Sequence, residues 1–174
     1  MDDPRHSFEA LALPHLDAAY NLARWLSRSP SDAEDIVQEA MLRAYRAFGG
    51  FRGDNVRPWL LAIVRNCWRT KAAEVQRRGH GPIPDEDDQP LVDGAASPEA
   101  EALRASESRR LSAVISALPE AFREVLILRE VEDLSYQEIA EATGAPIGTV
   151  MSRLARARAM LRDQWLKEAA DDLR

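Results

Sequence analysis

The chain has 174 residues, 45% of them apolar, 30% charged and only 6% aromatic, which is the composition of a soluble, helix-inclined protein of one ordinary domain or two small ones. No run approaches the roughly 18 apolar residues of a membrane span, and Met1-Asp2-Asp3-Pro4-Arg5-His6 carries acid where a secretory signal carries base, so a cytoplasmic protein without membrane insertion is expected. The net charge of −6 argues against a nucleic-acid partner only until it is divided along the chain: residues 1–78 hold 12 Lys and Arg against 10 Asp and Glu, residues 79–108 hold one against 8, and residues 109–174 hold 10 against 11.

In residues 7–27, Phe8, Leu11, Leu16, Ala19, Leu22, Ala23 and Leu26 recur near a 3.6-residue period and predict one helix. Ser29-Pro30-Ser31 breaks it. Ser31 with Glu34 three residues on reads as a capping box, and Val37, Met41, Ala44 and Phe48 carry an apolar face to a Gly49-Gly50 stop, a helix of about 18 residues. A third helix opens at Arg57-Pro58 and runs through Trp59, Leu60, Ile63, Val64 and Cys67 to residue 78, with a basic exposed side. Cys67, the one cysteine, lies on the apolar side and can form no intrachain disulfide, while His6, His15 and His80 have no metal-ligand spacing. No cofactor or metal is expected.

Gly79-His80-Gly81-Pro82-Ile83-Pro84 and the acidic run that follows read as a flexible linker over residues 79–104, so two small helical domains are predicted, residues 1–78 and 105–174. An amphipathic run from residue 99 to 118 is closed by Pro119, and a second follows from 120 to 131 with Phe122, Val125, Leu126 and Ile127 inward. Ser135-Tyr136-Gln137-Glu138 then forms a capping box for a short helix, Gly144 supplies a left-handed stop, and a new helix begins near Gly148-Thr149: a helix-turn-helix.

If Val150, Leu154, Ala157 and Leu161 are the buried stripe of that last helix, rotation by 100° per residue puts Thr149, Ser152, Arg153 and Arg156 on one flank and Arg158 and Arg162 on the other. Short polar residues first and arginines after suit a helix that reads base edges and phosphates in the major groove. Arginine-rich faces are commonly only solvated, but the capped helix and glycine turn before this one favour DNA. In the third helix, Trp59, Asn66 and Trp68 stand among Arg57, Arg65, Arg69, Lys71, Arg77 and Arg78, a mixture suited to stacking unpaired bases and neutralising their phosphates. Trp59, which opens an apolar face, reads first as a core residue.

These blocks resemble the extracytoplasmic-function sigma factors, the small two-domain class of the sigma-70 family. Asp32-Ala33-Glu34-Asp35-Ile36-Val37-Gln38-Glu39-Ala40-Met41-Leu42-Arg43-Ala44-Tyr45 is similar to the family's core-polymerase-binding helix. Phe51-Arg52-Gly53-Asp54 with Trp59-Leu60-Leu61-Ala62-Ile63-Val64-Arg65-Asn66 resembles its −10 and melting segment, and Leu118-Pro119-Glu120 through Gly148-Thr149-Val150-Met151-Ser152-Arg153-Leu154 its −35-reading region. The resemblance implies that Asp35, Gln38, Glu39 and Leu42 face the polymerase beta-prime clamp. It implies that Arg52, Asp54, Asn55, Arg57, Arg65, Asn66 and Arg69 hold the unpaired −10 strand, with a flipped base captured by the turn at residues 52–57. Thr149, Ser152, Arg153 and Arg156 would contact −35 DNA. The implied partners are core RNA polymerase, through the beta-prime clamp and beta flap, promoter DNA and an anti-sigma factor, with no small-molecule substrate. The chain is expected to be an initiation factor and not an enzyme: phosphate-cradling and nucleophile-elbow motifs are missing, and paired carboxylates such as Asp85 and Glu86 fall in the acidic run, where burial cannot tune them.

Two alternatives use the same residues. A sigma mimic that sequesters an anti-sigma factor would have lost its DNA-facing cations, whereas Arg65, Arg69, Arg153, Arg156 and Arg158 are present. A stand-alone helix-turn-helix regulator accounts for residues 119–162 and leaves the first domain without a role.

Overall fold

Proline and the residue before it set most of the helix boundaries. A computed structural model describes residues 4–79 and 98–171, and among them the chain forms eight α-helices and no strand. These are α1 (Pro4–Ala12), α2 (Leu16–Ser27), α3 (Pro30–Ala47), α4 (Val56–Arg77), α5 (Pro98–Ser116), α6 (Glu120–Glu130), α7 (Tyr136–Thr143) and α8 (Ile147–Asp171). The single helix expected over residues 7–27 is divided by a 3-10 turn at Leu13–His15, because Pro14 has no N–H to give and its ring disfavours a continuous α-helix. Phe8, Ala19, Leu22, Ala23 and Leu26 are buried as expected, but Leu11 and Leu16, on either side of the break, are 48% and 40% exposed, since the two helices no longer share one continuous face.

The first cap is also displaced. Ser29, not Ser31, caps α3: its Oγ accepts from the Asp32 N–H at 3.3 Å, and Pro30 takes the first helical position. A residue preceding proline is driven to extended backbone, which is the conformation an N-cap needs, so Ser29 (φ −141°, ψ 123°) outcompetes Ser31. At the start of α4, the Asn55 side chain accepts from the Arg57 N–H at 3.1 Å.

α2, α3 and α4 pack together with α1 lying on α4; α5, α6 and α7 all pack against α8. The two groups do not stand apart. α2 rests on α6 and α4 on α7, and one apolar core runs from Leu22, Leu26, Leu61 and Val64 into Leu126, Ile127, Leu128, Leu134 and Ile139. Val125, Leu126 and Ile127 are inward as predicted, yet every residue of α6 from Arg123 to Leu128 is buried, a pattern that a one-faced amphipathic helix does not produce. The cause is the position of α6, covered by α8 on one side and by α2 on the other. Of the expected linker, residues 80–97 lie outside the described residues, while residues 98–104 belong to α5.

The helix-turn-helix forms as its local signals dictate. The Ser135 N–H donates to Glu138 Oε2 at 2.7 Å while Ser135 Oγ accepts from the Glu138 N–H at 3.2 Å, completing the capping box of α7. Gly144 ends α7 at φ 67°, a left-handed conformation that costs a side-chain-bearing residue more than glycine. Val150, Leu154 and Ala157 are buried and Leu161 is half-buried, so the stripe predicted for α8 holds.

Two outcomes follow from this packing. Leu61 is fully buried between the helix groups, and Leu61→Ala is expected to lower unfolding stability by about 2–5 kcal/mol in a urea titration. The hydrogen bonds from Ser135 hold the Glu138 carboxyl below its ordinary value of 4.5, so its contribution is full above that value and is lost as pH falls through the lower folded one. Glu138→Gln keeps an acceptor at the capping position without titrating, and its melting temperature should fall less than wild type's as the pH drops below about 4.5.

Candidate polymerase and nucleic-acid interfaces

One exposed face of α3 carries Asp35, Gln38, Glu39 and Leu42 at the 3, 4 and 7 residue steps that align side chains along a helix. Lys71 of α4 clasps this helix, 2.6 Å from Asp32 Oδ1 and 3.3 Å from Asp35 Oδ2, and Glu39 pairs with Arg43 at 2.6 Å. Gln38 and Leu42 open onto a groove of about 770 Å³ walled by Phe8, Leu16, Val37 and Tyr45; the acids that line it are Asp17 and Glu34, while Asp35 and Glu39 are outside its lining. Leu11, Leu13, Leu16, Leu42 and Tyr45 are each 40–52% exposed at this end of the molecule. Leu16 and Tyr45 are members of the groove that periodicity missed, and Pro14, which turns Leu16 outward, was the signal for it.

The turn before α4 is built around aromatic rings. Phe51 and Trp59 have centroids 4.8 Å apart and Phe48 lies 6.3 Å from each, so Trp59 is a structural residue, half-buried as the core reading predicted. A Cβ on Gly53 would stand 3.0 Å from the edge of the Phe51 ring, a close approach that a side chain could take only if the ring shifted. Arg52 Nη1 donates to the carbonyls of Gly49 and Phe51, both at 2.9 Å, and pins the turn. Asp54, Asn55, Asn66 and Arg69 are exposed. Trp68 is half-buried against the shared core, its indole Nε1 buried without a hydrogen-bond partner, so it does not stand free among the basic residues.

Three of the residues expected at a −10 strand already have partners in the second half of the chain. Asn55 Nδ2 donates to Glu138 Oε1 at 2.7 Å. Arg57 Nη2 donates to the Glu132 carbonyl and lies 3.2 Å from its Oε2. Arg65 Nε donates to Glu124 Oε1, with both side chains largely withdrawn from water. Burial pushes the Glu124 carboxyl up in pKa even though Arg65 pulls it down. Sequence reasoning missed Glu124, Glu132 and Glu138 as neighbours of α4 because each lies at least 59 residues away along the chain.

At the other end, the residues expected to read −35 DNA line the first turns of α8. Ser152 and Arg156 are exposed and Thr149 and Arg153 are half-buried, with Ser152 Oγ donating to the Thr149 carbonyl at 3.0 Å. Arg158, on the opposite flank, is held by Glu130 at 2.6 and 3.0 Å. The four chosen residues therefore share one open face. Cys67 is buried, and burial raises its thiol pKa, in keeping with a small core residue. No described helix is long and apolar enough to cross a membrane.

Comparison with known proteins matches both halves. Residues 11–78 fit the family described as Sigma-70 region 2, and residues 108–161 fit Sigma-70, region 4. The chain is 33% identical over 169 residues to the ECF RNA polymerase sigma factor SigE of Mycolicibacterium smegmatis, a match covering 95% of this chain and 64% of that protein. It is 37% identical over 166 residues to the RNA polymerase sigma-H factor of Pseudomonas aeruginosa, covering 88% of this chain and 83% of the relative. Among solved structures, the sigma factor RpoE in complex with the anti-sigma factor NepR from Bartonella quintana superposes with a TM-score of 0.74 at 28% identity, over 91% of this chain and 96% of that one. CnrH in complex with the cytosolic domain of CnrY superposes with a TM-score of 0.66 at 26% identity, over 95% of this chain and 90% of that one. With region 2 ahead of region 4, and relatives that span nearly its whole length, this chain belongs to the extracytoplasmic-function sigma factors of the sigma-70 family.

Proposed function

We propose that this sigma factor binds core RNA polymerase through the α3 face, reads −35 duplex with the start of α8, and captures the unpaired −10 strand on the turn before α4 and along α4. The observation that carries the reading is the α3 face itself: exposed Leu42 and Gln38 open onto an apolar groove where a partner helix can bury Leu16 and Tyr45, beside Asp35 and Glu39, whose charge sets the register. A groove of this kind favours the initiation factor over a stand-alone helix-turn-helix regulator, which has no use for it. On this reading residues 1–78 form region 2 and residues 105–174 region 4, joined by residues 79–97 and the first turns of α5. The chain acts in the cytoplasm and catalyses no reaction of its own, the polymerase doing the chemistry.

Melting a duplex costs a few kcal/mol per unstacked base, and strand capture by α4 offsets that cost. Reaching both promoter elements requires the two regions to separate by about two DNA turns, roughly 70 Å. Residues 80–97 could span at most ~60 Å when extended, and the turns of α5 before residue 105 add ~10 Å of helix, about that distance. We further propose an anti-sigma partner, on the strength of the two structural relatives solved in complex with the anti-sigma factor NepR and with the cytosolic domain of CnrY.

Co-elution with bacterial core RNA polymerase tests the first contact: the wild-type chain should bind, and Gln38→Ala should bind more weakly with unchanged helicity. Normal core affinity for that variant removes α3 from the interface. For the duplex contact, Arg156→Ala should weaken −35 binding by about 1–3 kcal/mol if Arg156 reaches a base, or flatten the salt dependence if it reaches phosphate. Unchanged affinity and slope would exclude it from the interface.

A further inference from the structure

We propose that Met151, with Ala155 one turn further along α8, is a base-reading residue of the upstream duplex contact and selects thymine through its C5 methyl group. The inference deepens the assignment of α8 to duplex reading made above and rests on it.

The first half of α8 exposes two lanes of side chains. Ser152 and Arg156 form a polar lane, and beside it Ile147, Met151 and Ala155 recur every four residues as an apolar one, all three exposed. Ile147 and Met151 are 46% and 52% exposed, whereas Met160, further along the same helix, packs against the core. The apolar lane lies apart from the buried stripe of Val150, Leu154 and Ala157, so packing within the chain does not account for it. Gly148, at the head of the lanes, has nothing within 4 Å of the place a Cβ would occupy. Its lack of a side chain leaves the first turn thin on the side that a duplex would approach.

The surroundings of the lane indicate what covers it. From Ala142 to Arg162 the chain holds four arginines and no acid, which favours an anionic occupant. The lane is also too narrow to seat a partner helix, in contrast to the α3 groove with its walls of Phe8, Leu16 and Tyr45. Duplex DNA meets both conditions: it brings phosphates to the arginines, and the thymine methyl is the apolar group that base edges present in the major groove. A thioether side chain has no donor to offer guanine or adenine, and it is flexible enough to follow a methyl group. Against the amino group of cytosine or adenine it would leave a desolvated donor unpaired, so the same contact also rejects other bases. Four residues of helix rise ~6 Å and base pairs stack every ~3.4 Å, so Met151 and Ala155 address bases no more than about two steps apart.

The test uses holoenzyme reconstituted from the full chain and bacterial core RNA polymerase. Selection from a duplex pool randomised through the promoter should enrich an upstream block containing thymine. Each thymine of that block is then replaced singly by deoxyuridine, which removes the methyl and leaves the hydrogen-bonding edge intact. At one position the replacement should weaken wild-type binding about fourfold, what burying a methyl group is worth, and should cost Met151→Ala nothing further. Met151→Ala should itself lower affinity for the thymine duplex without changing its salt dependence, since no phosphate contact is lost. An enriched block without thymine overturns the methyl reading, as does a deoxyuridine cost that is absent in wild type or undiminished in Met151→Ala. In those cases weakened binding by Arg156→Ala keeps duplex reading by α8 in place. No enriched upstream block, or no effect of either Arg156→Ala or Met151→Ala on it, puts the failure in duplex reading and overturns the inference with it. Loss of core-polymerase affinity in Met151→Ala at unchanged thymine discrimination also overturns it and marks the lane as a protein contact. Met151 is exposed and alanine is the better helix former, so helicity should be kept. Should it fall, Met151→Gln, of similar length without the apolar tip, is judged by the same readouts.

Discussion

Helix α6 is the element on which the arrangement of both halves depends. Its apolar residues Val125, Leu126, Ile127 and Leu128 are too many for one face, and they are satisfied by α8 on one side and α2 on the other. Hydrophobic burial is not directional, so it brings the halves together without specifying how. Direction comes from the polar pairs that cross between the halves, Glu124 of this helix among them, while its neighbour Arg123 fixes α5 within its own half. Arg123 Nη1 donates to the carbonyls of Ser116 and Leu118 and ties down the end of α5, while Glu124 reaches across to Arg65 of α4. A buried arginine or glutamate without such a partner would cost far more than a paired one, so few registers of the two halves are allowed.

The functional surfaces divide according to this contact. The α3 groove keeps its exposed Leu16 and Leu42, and Ser152 and Arg156 on α8 are also exposed. Only the start and middle of α4 are covered, by Glu124, Glu132 and Glu138. An overall acidic chain can still carry locally basic surfaces, with its arginines gathered along α4 and α8.

Local signals were legible where the chain itself supplies both partners. Ser135 and Glu138 are three residues apart and complete each other's bonds, Gly144 takes the left-handed conformation without help, and Val150, Leu154 and Ala157 mark a single face. The two errors in the first helices share one origin. Pro14 and Pro30 act on the backbone, and their effects override side-chain periodicity: Pro14 turned Leu11 and Leu16 outward, and Pro30 moved the cap to Ser29. Both prolines were visible, and their weight against an unbroken apolar stripe was not. The aromatic turn was read correctly for Trp59, whereas Trp68 went inward because its side of α4 meets the shared core.

The sequence by itself determined the helices, the helix-turn-helix and the family, because each rests on contacts within a few turns of chain or on residue blocks in order. It also offered the side chains that the family resemblance assigns to a polymerase helix, a single strand and a duplex. Tertiary structure alone decided which of them are free. Asn55, Arg57 and Arg65 are indistinguishable from Asn66 and Arg69 in a one-dimensional reading, yet the first three are bound by acids 59 to 83 residues away and the last two are exposed. The physical reason is that an ion pair depends on distance in space, and no periodicity along α4 encodes which face of α6 and α7 comes to rest on it.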